Sequence, residues 1–167
     1  MSAKYVSPGE EMTPFGRPVA PVQVDLETDL AIRQLRFRLA DALCHADADA
    51  YAATFTPDGV WALRGRRLEG RNAIRELLAQ RLGNHAWQMQ NYMDSTILSV
   101  SETEIRARAY FIEHGEESGL IKYVLGFYDE LCVKQPAGWY YAERVANIIY
   151  LGSPDLTTRP MRPNPTS

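Results

Sequence analysis

Up to about residue 82 the apolar side chains recur at helical spacing, and after it they alternate with the two-residue period of strands. Ile32, Leu35, Leu39 and Leu43 fall three and four apart and share one face of a helix expected over residues 25–44, with Asp25 as its N-cap. Asp47 is placed to cap a second, short helix running through Phe55. Pro57-Asp58-Gly59 reads as a turn, residues 60–63 as a strand, and 68–70 as its continuation past a bend at Gly65. A third helix is expected over 72–82, with Ile74, Leu77 and Leu78 inward and Gly83 as its stop. The remainder reads as strands over 87–100, 104–113, 120–134 and 139–151, with Gly115 and Gln135-Pro136-Ala137-Gly138 as turns. Helices first and long antiparallel strands afterwards define an α+β fold.

Strand phase carries a further expectation. Over 104–114, Ile105, Ala107, Ala109, Phe111 and Glu113 share one face, while Arg106, Arg108, Tyr110, Ile112 and His114 share the other. The small apolar set belongs against the helices, so Glu113 falls on the inner side. Arg106 and Arg108 fall on the outer side, solvated or facing a partner subunit. On the last strand, Glu143 and Asn147 are expected inward and Arg144 outward, an assignment that one residue of slip reverses. Eight of the ten prolines stand in two terminal stretches, which predicts irregular arms over 1–24 and 152–167 around a domain spanning 25–151.

Composition narrows the function classes. A chain of 167 residues favours one domain. The net charge of −3 gives no electrostatic case for nucleic acid or for an anionic membrane. Two cysteines, Cys44 and Cys132, suit reduced thiols rather than a disulfide scaffold. The first residues lack the apolar core of a secretory signal, and no run approaches the ~18 apolar residues of a membrane span, so a cytoplasmic protein is expected. The three histidines are scattered, and no metal-ligand spacing, nucleotide-binding glycine loop or nucleophile elbow is present, so neither metal nor cofactor is expected.

Four segments then gain meaning from their order: Phe55-Thr-Pro-Asp-Gly59, Glu69-Gly-Arg-Asn-Ala-Ile74, Gly126-Phe-Tyr-Asp-Glu130 and Gly138-Trp-Tyr-Tyr-Ala-Glu-Arg144. Together they resemble the SnoaL-like branch of the nuclear-transport-factor-two-like superfamily. The resemblance implies a cone-shaped α+β barrel, with three N-terminal helices packed on a strongly curved, mainly antiparallel sheet around an apolar pocket. It implies pairing into homodimers through the outer sheet face. Relatives include cofactor-free dehydratases, isomerases, cyclases and lyases. By the same resemblance, the tyrosine and base carboxylate of ketosteroid-isomerase-like relatives fall on Leu39 and Leu63, and their second acid falls near Glu130. The helix-one aspartate of dehydratase-like and dehydrochlorinase-like relatives falls on Cys44, and their sheet histidine on Asn91 or His85.

The candidate catalytic residues are therefore Glu130, a carboxyl on an inner strand face; Tyr128, a phenol two residues away to steady an oxyanion; and His85, a base beyond the third helix. Asn91, Trp61, Trp87, Met89, Phe111, Tyr123, Glu143 and Cys44 are the candidate substrate-binding residues. The function expected is a cofactor-independent lyase or isomerase acting on a hydrophobic aromatic or polycyclic molecule, by proton abstraction with loss of water or a small carbonyl fragment. The alternatives are a non-catalytic binding or assembly protein resembling an oxygenase small subunit, and a polyketide-type cyclase. An enzyme should keep polar groups buried and facing one another in the cone; a structural subunit should fill it with apolar side chains.

Overall fold

The computed structural model describes residues 22–83 and 85–156, with backbone alone at His85 and Ala86. The element order is α1 (Leu26–Cys44), α2 (Ala48–Ala53), β1 (Phe55–Leu63), β2 (Arg66–Glu69), α3 (Arg71–Leu82), β3 (His85–Val100), β4 (Glu104–Glu117), β5 (Leu120–Gln135) and β6 (Gly138–Gly152). The strands form one six-stranded sheet in the order β2-β1-β6-β5-β4-β3. All neighbouring pairs are antiparallel except β1 and β6, which run parallel. Most of the two expected arms, 1–24 and 152–167, lies outside the described residues.

The helices begin where the sequence supplies caps. Asp25 accepts from the Thr28 amide at 2.8 Å, and Asp47 accepts from Ala50 at 2.8 Å, each satisfying an otherwise unpaired first-turn donor. The apolar stripe of α1 faces the sheet. Ile32, Leu35 and Leu39 are fully buried and join Tyr51, Phe55, Trp61, Ile74, Ile105, Cys132 and Tyr141 in one core.

Three local expectations are corrected. The second helix ends at Ala53, and Phe55 opens β1. Pro57-Asp58-Gly59 lies within that strand, where the pairing with β6 shifts between Phe55 and Val60. Gly115 is inside β4 opposite Lys122; the reversal comes later, at Ser118 and Gly119, whose φ values of 54° and 80° suit a tight hairpin turn.

On the outer sheet face Arg108 is not solvated. It meets Asp129 at 2.7 Å and lies over the Phe127 ring at 4.4 Å, and Asn147 donates to the same Asp129 at 3.1 Å.

Candidate functional site

Between the helices and the inner sheet face lies a cavity of about 380 Å³. Its deep walls are apolar and aromatic: Leu43, Tyr51, Trp61, Leu77, Leu78, Phe111 and Tyr128 are all buried. Onto these walls the alternation of β3 and β4 projects polar groups. Gln88 and Gln90 are buried while Trp87, Met89 and Asn91 are exposed, so the even positions of this stretch of β3 point inward. Glu113 lines the cavity from β4, as the phase of that strand requires.

Glu113 is held by two amides. Its Oε1 accepts from Gln88 Nε2 at 2.6 Å and its Oε2 from Gln90 Nε2 at 2.8 Å. The same Gln90 nitrogen donates to the Tyr128 hydroxyl at 3.3 Å. Carboxylate and phenol therefore stand no farther apart than those two hydrogen bonds span. The Tyr128 oxygen is an acceptor in this contact, which leaves its own hydrogen to donate to a ligand. Tyr128 stacks on Phe111 with centroids 4.5 Å apart. Burial pushes its pKa upward, with Arg144 opposing, so the phenol stays protonated and a donor.

Behind Tyr128 sits a buried charge cluster. Glu130 accepts from Arg36 Nε at 2.8 Å on one oxygen and from Arg144 Nε at 3.2 Å on the other. Arg144 is fully buried, with its guanidinium carbon 3.3 Å from the Tyr128 ring centroid. It also donates to the Tyr51 hydroxyl at 3.3 Å and to the Tyr92 hydroxyl. Tyr92 in turn donates to Gln90 Oε1 at 3.1 Å. That contact fixes which end of the Gln90 amide is oxygen, and so aims its nitrogen at Glu113 and Tyr128. The cluster reaches the cavity through this chain of hydrogen bonds.

The sequence-derived site thus divides. Tyr128, Trp61 and Phe111 line the cavity. Glu130 is inward but bound between two arginines, and it is not among the lining residues. Trp87 and Met89 are 45% and 49% exposed, on the face of β3 opposite Gln88 and Gln90, and Asn91 is exposed there too. Tyr123 packs on the outer face against the His114 ring at 4.6 Å. Cys44 is exposed, and Leu43 takes the place on the cavity wall. The side chain of His85 lies outside the described residues; its backbone pairs with Glu117.

The inward set on β6 is reversed. Arg144 is buried, and Glu143 meets Arg67 at 2.7 Å. The cause is a shift in the β5–β6 pairing: Leu131 opposes Glu143 but Cys132 opposes Tyr141, so one residue of β6 is skipped and both Tyr141 and Arg144 face the core.

Sequence reading missed Arg36, Gln88 and Gln90. Arg36 had a signal, since it stands four residues after Ile32 and three before Leu39, on the buried stripe of α1. Gln88 and Gln90 alternate with exposed residues as an inward pair would, but polar side chains at those positions do not announce a face.

A cone of helices on a curved sheet, enclosing a cavity with a few buried polar groups, defines the nuclear-transport-factor-two-like class of protein. Within it the chain belongs to the SnoaL-like domain family, whose model matches residues 24–145. Among solved structures it is similar to a candidate aromatic ring hydroxylase from Novosphingobium aromaticivorans, at 25% identity and a TM-score of 0.75, covering 78% of this chain and 95% of that one. It is similar in fold to a candidate scytalone dehydratase from the same organism (21% identity, TM-score 0.71, 83% and 97% covered). The hexachlorocyclohexane dehydrochlorinase LinA type 2 shares the fold at 13% identity and a TM-score of 0.71, with 82% and 90% covered. No curated protein matches the chain. Among the described residues no helix is long and apolar enough to cross a membrane.

Proposed function

We propose that the protein is a lyase or isomerase that needs no cofactor, with Glu113 as the proton-transferring base and Tyr128 as the donor to the developing oxyanion. The observation that carries this reading is the pairing of a carboxylate and a protonated phenol through one shared amide, on the wall of an open, aromatic-lined cavity. A cone filled by apolar side chains would suit an assembly subunit; this one keeps both space and facing polar groups.

The chemistry follows from the geometry. Glu113 removes a proton from the carbon next to a substrate carbonyl, and the electron pair moves onto the carbonyl oxygen, where the Tyr128 hydroxyl donates to it. Collapse of that enolate expels a hydroxyl from the neighbouring carbon, and the proton held by Glu113 joins it as water. Alternatively the proton returns to a different carbon, and the net reaction is isomerisation. Trp61, Phe111 and the buried leucines exclude water and select a flat apolar substrate. Gln88 and Gln90 hold the carboxylate in place, and Glu130 acts at a distance, by fixing Arg144 and through it Tyr92 and Gln90.

The test is deuterium uptake from heavy water into aryl ketones and β-hydroxy aryl ketones, followed by proton NMR. The native protein should accelerate exchange next to the carbonyl, and Glu113→Gln should lose about 10²–10⁴-fold of that rate. Tyr128→Phe should also slow it. Full exchange by Glu113→Gln, or no exchange above background by the native protein across the set, overturns the assignment.

A further inference from the structure

Arg144 is not among the residues that line the cavity, yet it meets the proposed machinery from behind. Its guanidinium carbon stands 3.3 Å from the centroid of the Tyr128 ring. So short a contact lies over a face of the ring, since in the ring plane it would overlap the ring's own atoms. Phe111 stacks on the same ring at 4.5 Å and 27°. Two groups that close cannot share a face, so the phenol is held between an apolar ring and a cation. All three nitrogens of the guanidinium are engaged inside the core. Nε donates to Glu130 at 3.2 Å, Nη1 to the Tyr51 hydroxyl at 3.3 Å, and Nη2 to the Tyr92 hydroxyl. The route by which its charge reaches a ligand is therefore Tyr128.

The cluster behind the ring holds more positive than negative charge. Arg36 and Arg144 share the one carboxylate of Glu130, and Arg36 Nη2 has no hydrogen-bond partner among the described residues. A charge left over from a buried pair is costly, and stability alone would favour an apolar residue at one of the two arginine positions. The balancing anion stands on the cavity side. Tyr92 accepts from Arg144 and donates to Gln90, whose amide nitrogen meets both Glu113 and Tyr128. When Glu113 takes a proton from the substrate it becomes neutral, and the negative charge reappears on the substrate oxygen at Tyr128. The positive cluster stays in place, so the anion moves within its field rather than out of it.

We infer that Arg144 is a positioning residue for this reaction, whose cation on the face of Tyr128 makes the phenol a stronger donor to the oxyanion. The inference rests on the proton-transfer reading above for what Tyr128 does, and adds why the core keeps a surplus arginine. A hydrogen bond to an oxyanion shifts negative charge onto the donor's oxygen and into its ring, where a face-on cation attracts it. Gln90 supports the same charge by donating to the Tyr128 oxygen. Burial holds the phenol's pKa up, and Arg144 is foremost among the groups that bring it down. Of the other charges around it, Glu113 on β4 and Glu130 on β5 oppose ionisation by their sign, while Arg36 on α1 and Arg81 on α3 favour it. Tyr51 on α2 and Tyr92 on β3 are raised by burial and stay neutral.

The experiment places 2,3,5-trifluorotyrosine at position 128 of the full chain and follows its ionisation by fluorine NMR. The fluorinated phenol is far more acidic than tyrosine, so it is titrated while the other tyrosines stay protonated. In Arg144→Met its acid constant should fall about tenfold or more. Arg36 lies across Glu130 from Arg144, so Arg36→Met leaves the ring contact intact and removes only charge; the acid constant should fall about threefold. Glu130→Gln removes a negative charge and should raise it, a reversal of sign that packing damage does not produce. Each arginine variant keeps one neutral ion pair, so these two decide the test if Glu130→Gln does not fold. In the deuterium-uptake assay, Arg144→Met should slow exchange about tenfold or more in the native background and about twofold or less in Tyr128→Phe. Acid constants unchanged within about twofold in both arginine variants, or equal slowing in the Tyr128→Phe background, overturn the role of Arg144 and leave the proton-transfer reading standing. If the native protein exchanges nothing, the proton-transfer reading falls and the inference falls with it.

Discussion

Replacing Glu130 by glutamine would leave two buried arginines without their shared anion. Arg36, Glu130 and Arg144 are each at most 3% exposed, so water cannot take over the role of the carboxylate. The two guanidinium nitrogens approach opposite oxygens of the same carboxylate at 2.8 and 3.2 Å, so the cations face each other across it. At a separation of roughly 6 Å and an effective dielectric near ~20, their repulsion is about 3 kcal/mol, and each lost attraction is of similar size. A glutamine of the same shape retains one acceptor oxygen and offsets part of this. The expected loss is about 3–5 kcal/mol, as for other buried pairs with one partner removed, and lowers Tm by roughly 10 °C in a domain of this size. Urea unfolding followed by tryptophan fluorescence, with a thermal scan by circular dichroism, measures both. Arg36→Met is the companion variant. It leaves a neutral Arg144–Glu130 pair, so it should cost less than Glu130→Gln even though it also removes the Arg36 bond to Ser95 at 2.8 Å. A Glu130→Gln protein within about 0.5 kcal/mol of the native one, or more stable than Arg36→Met, would refute the electrostatic account of this core.

Gly126→Ala should destabilise by about 1–3 kcal/mol in the same unfolding assay, because any side chain there overpacks a tight site. Its added carbon would sit 2.5 Å from the Asn147 carbonyl oxygen and 3.1 Å from the Phe111 ring, so deuterium uptake into the aryl ketones should slow with it. Native protein at pH 8 should expose one thiol to an aromatic disulfide reagent and two after unfolding, since Cys44 is exposed while burial pushes the Cys132 thiol up. Two rapidly reacting thiols in the folded state would contradict that burial. The linked stability has a definite sign. The Cys132 contribution is intact below the ordinary thiol value of about 8.5, and it is lost as pH rises toward the raised folded value. The buried phenols of Tyr51 and Tyr141 and the half-buried phenol of Tyr92, all raised by desolvation, add the same trend from about pH 10. Urea midpoints that rise between about pH 9 and 11 would oppose it.

The sequence by itself determined what depends on neighbours along the chain. The stripe Ile32, Leu35, Leu39 and Leu43 set the buried face of α1, Asp25 and Asp47 set where helices start, and the alternation of Ile105 through Glu113 set which side of β4 faces the cavity. These follow from fixed periods of 3.6 and 2 residues and from local hydrogen bonds. The inner-face position of Glu113 was therefore legible in the phase of its strand, though its partners Gln88 and Gln90 were not. Strand pairing decided the rest. One skipped residue between Tyr141 and Glu143 turned Arg144 into the core and Glu143 onto Arg67, and with Arg36 from α1 it converted Glu130 from a free cavity acid into the centre of a buried ion cluster. A bulge costs little locally and leaves no periodic trace, yet it reverses the face of the side chains that follow it up to the next shift, here between Ile148 and Tyr150. For that reason the charges that define this site could be assigned only once distant strands and helix α1 had met.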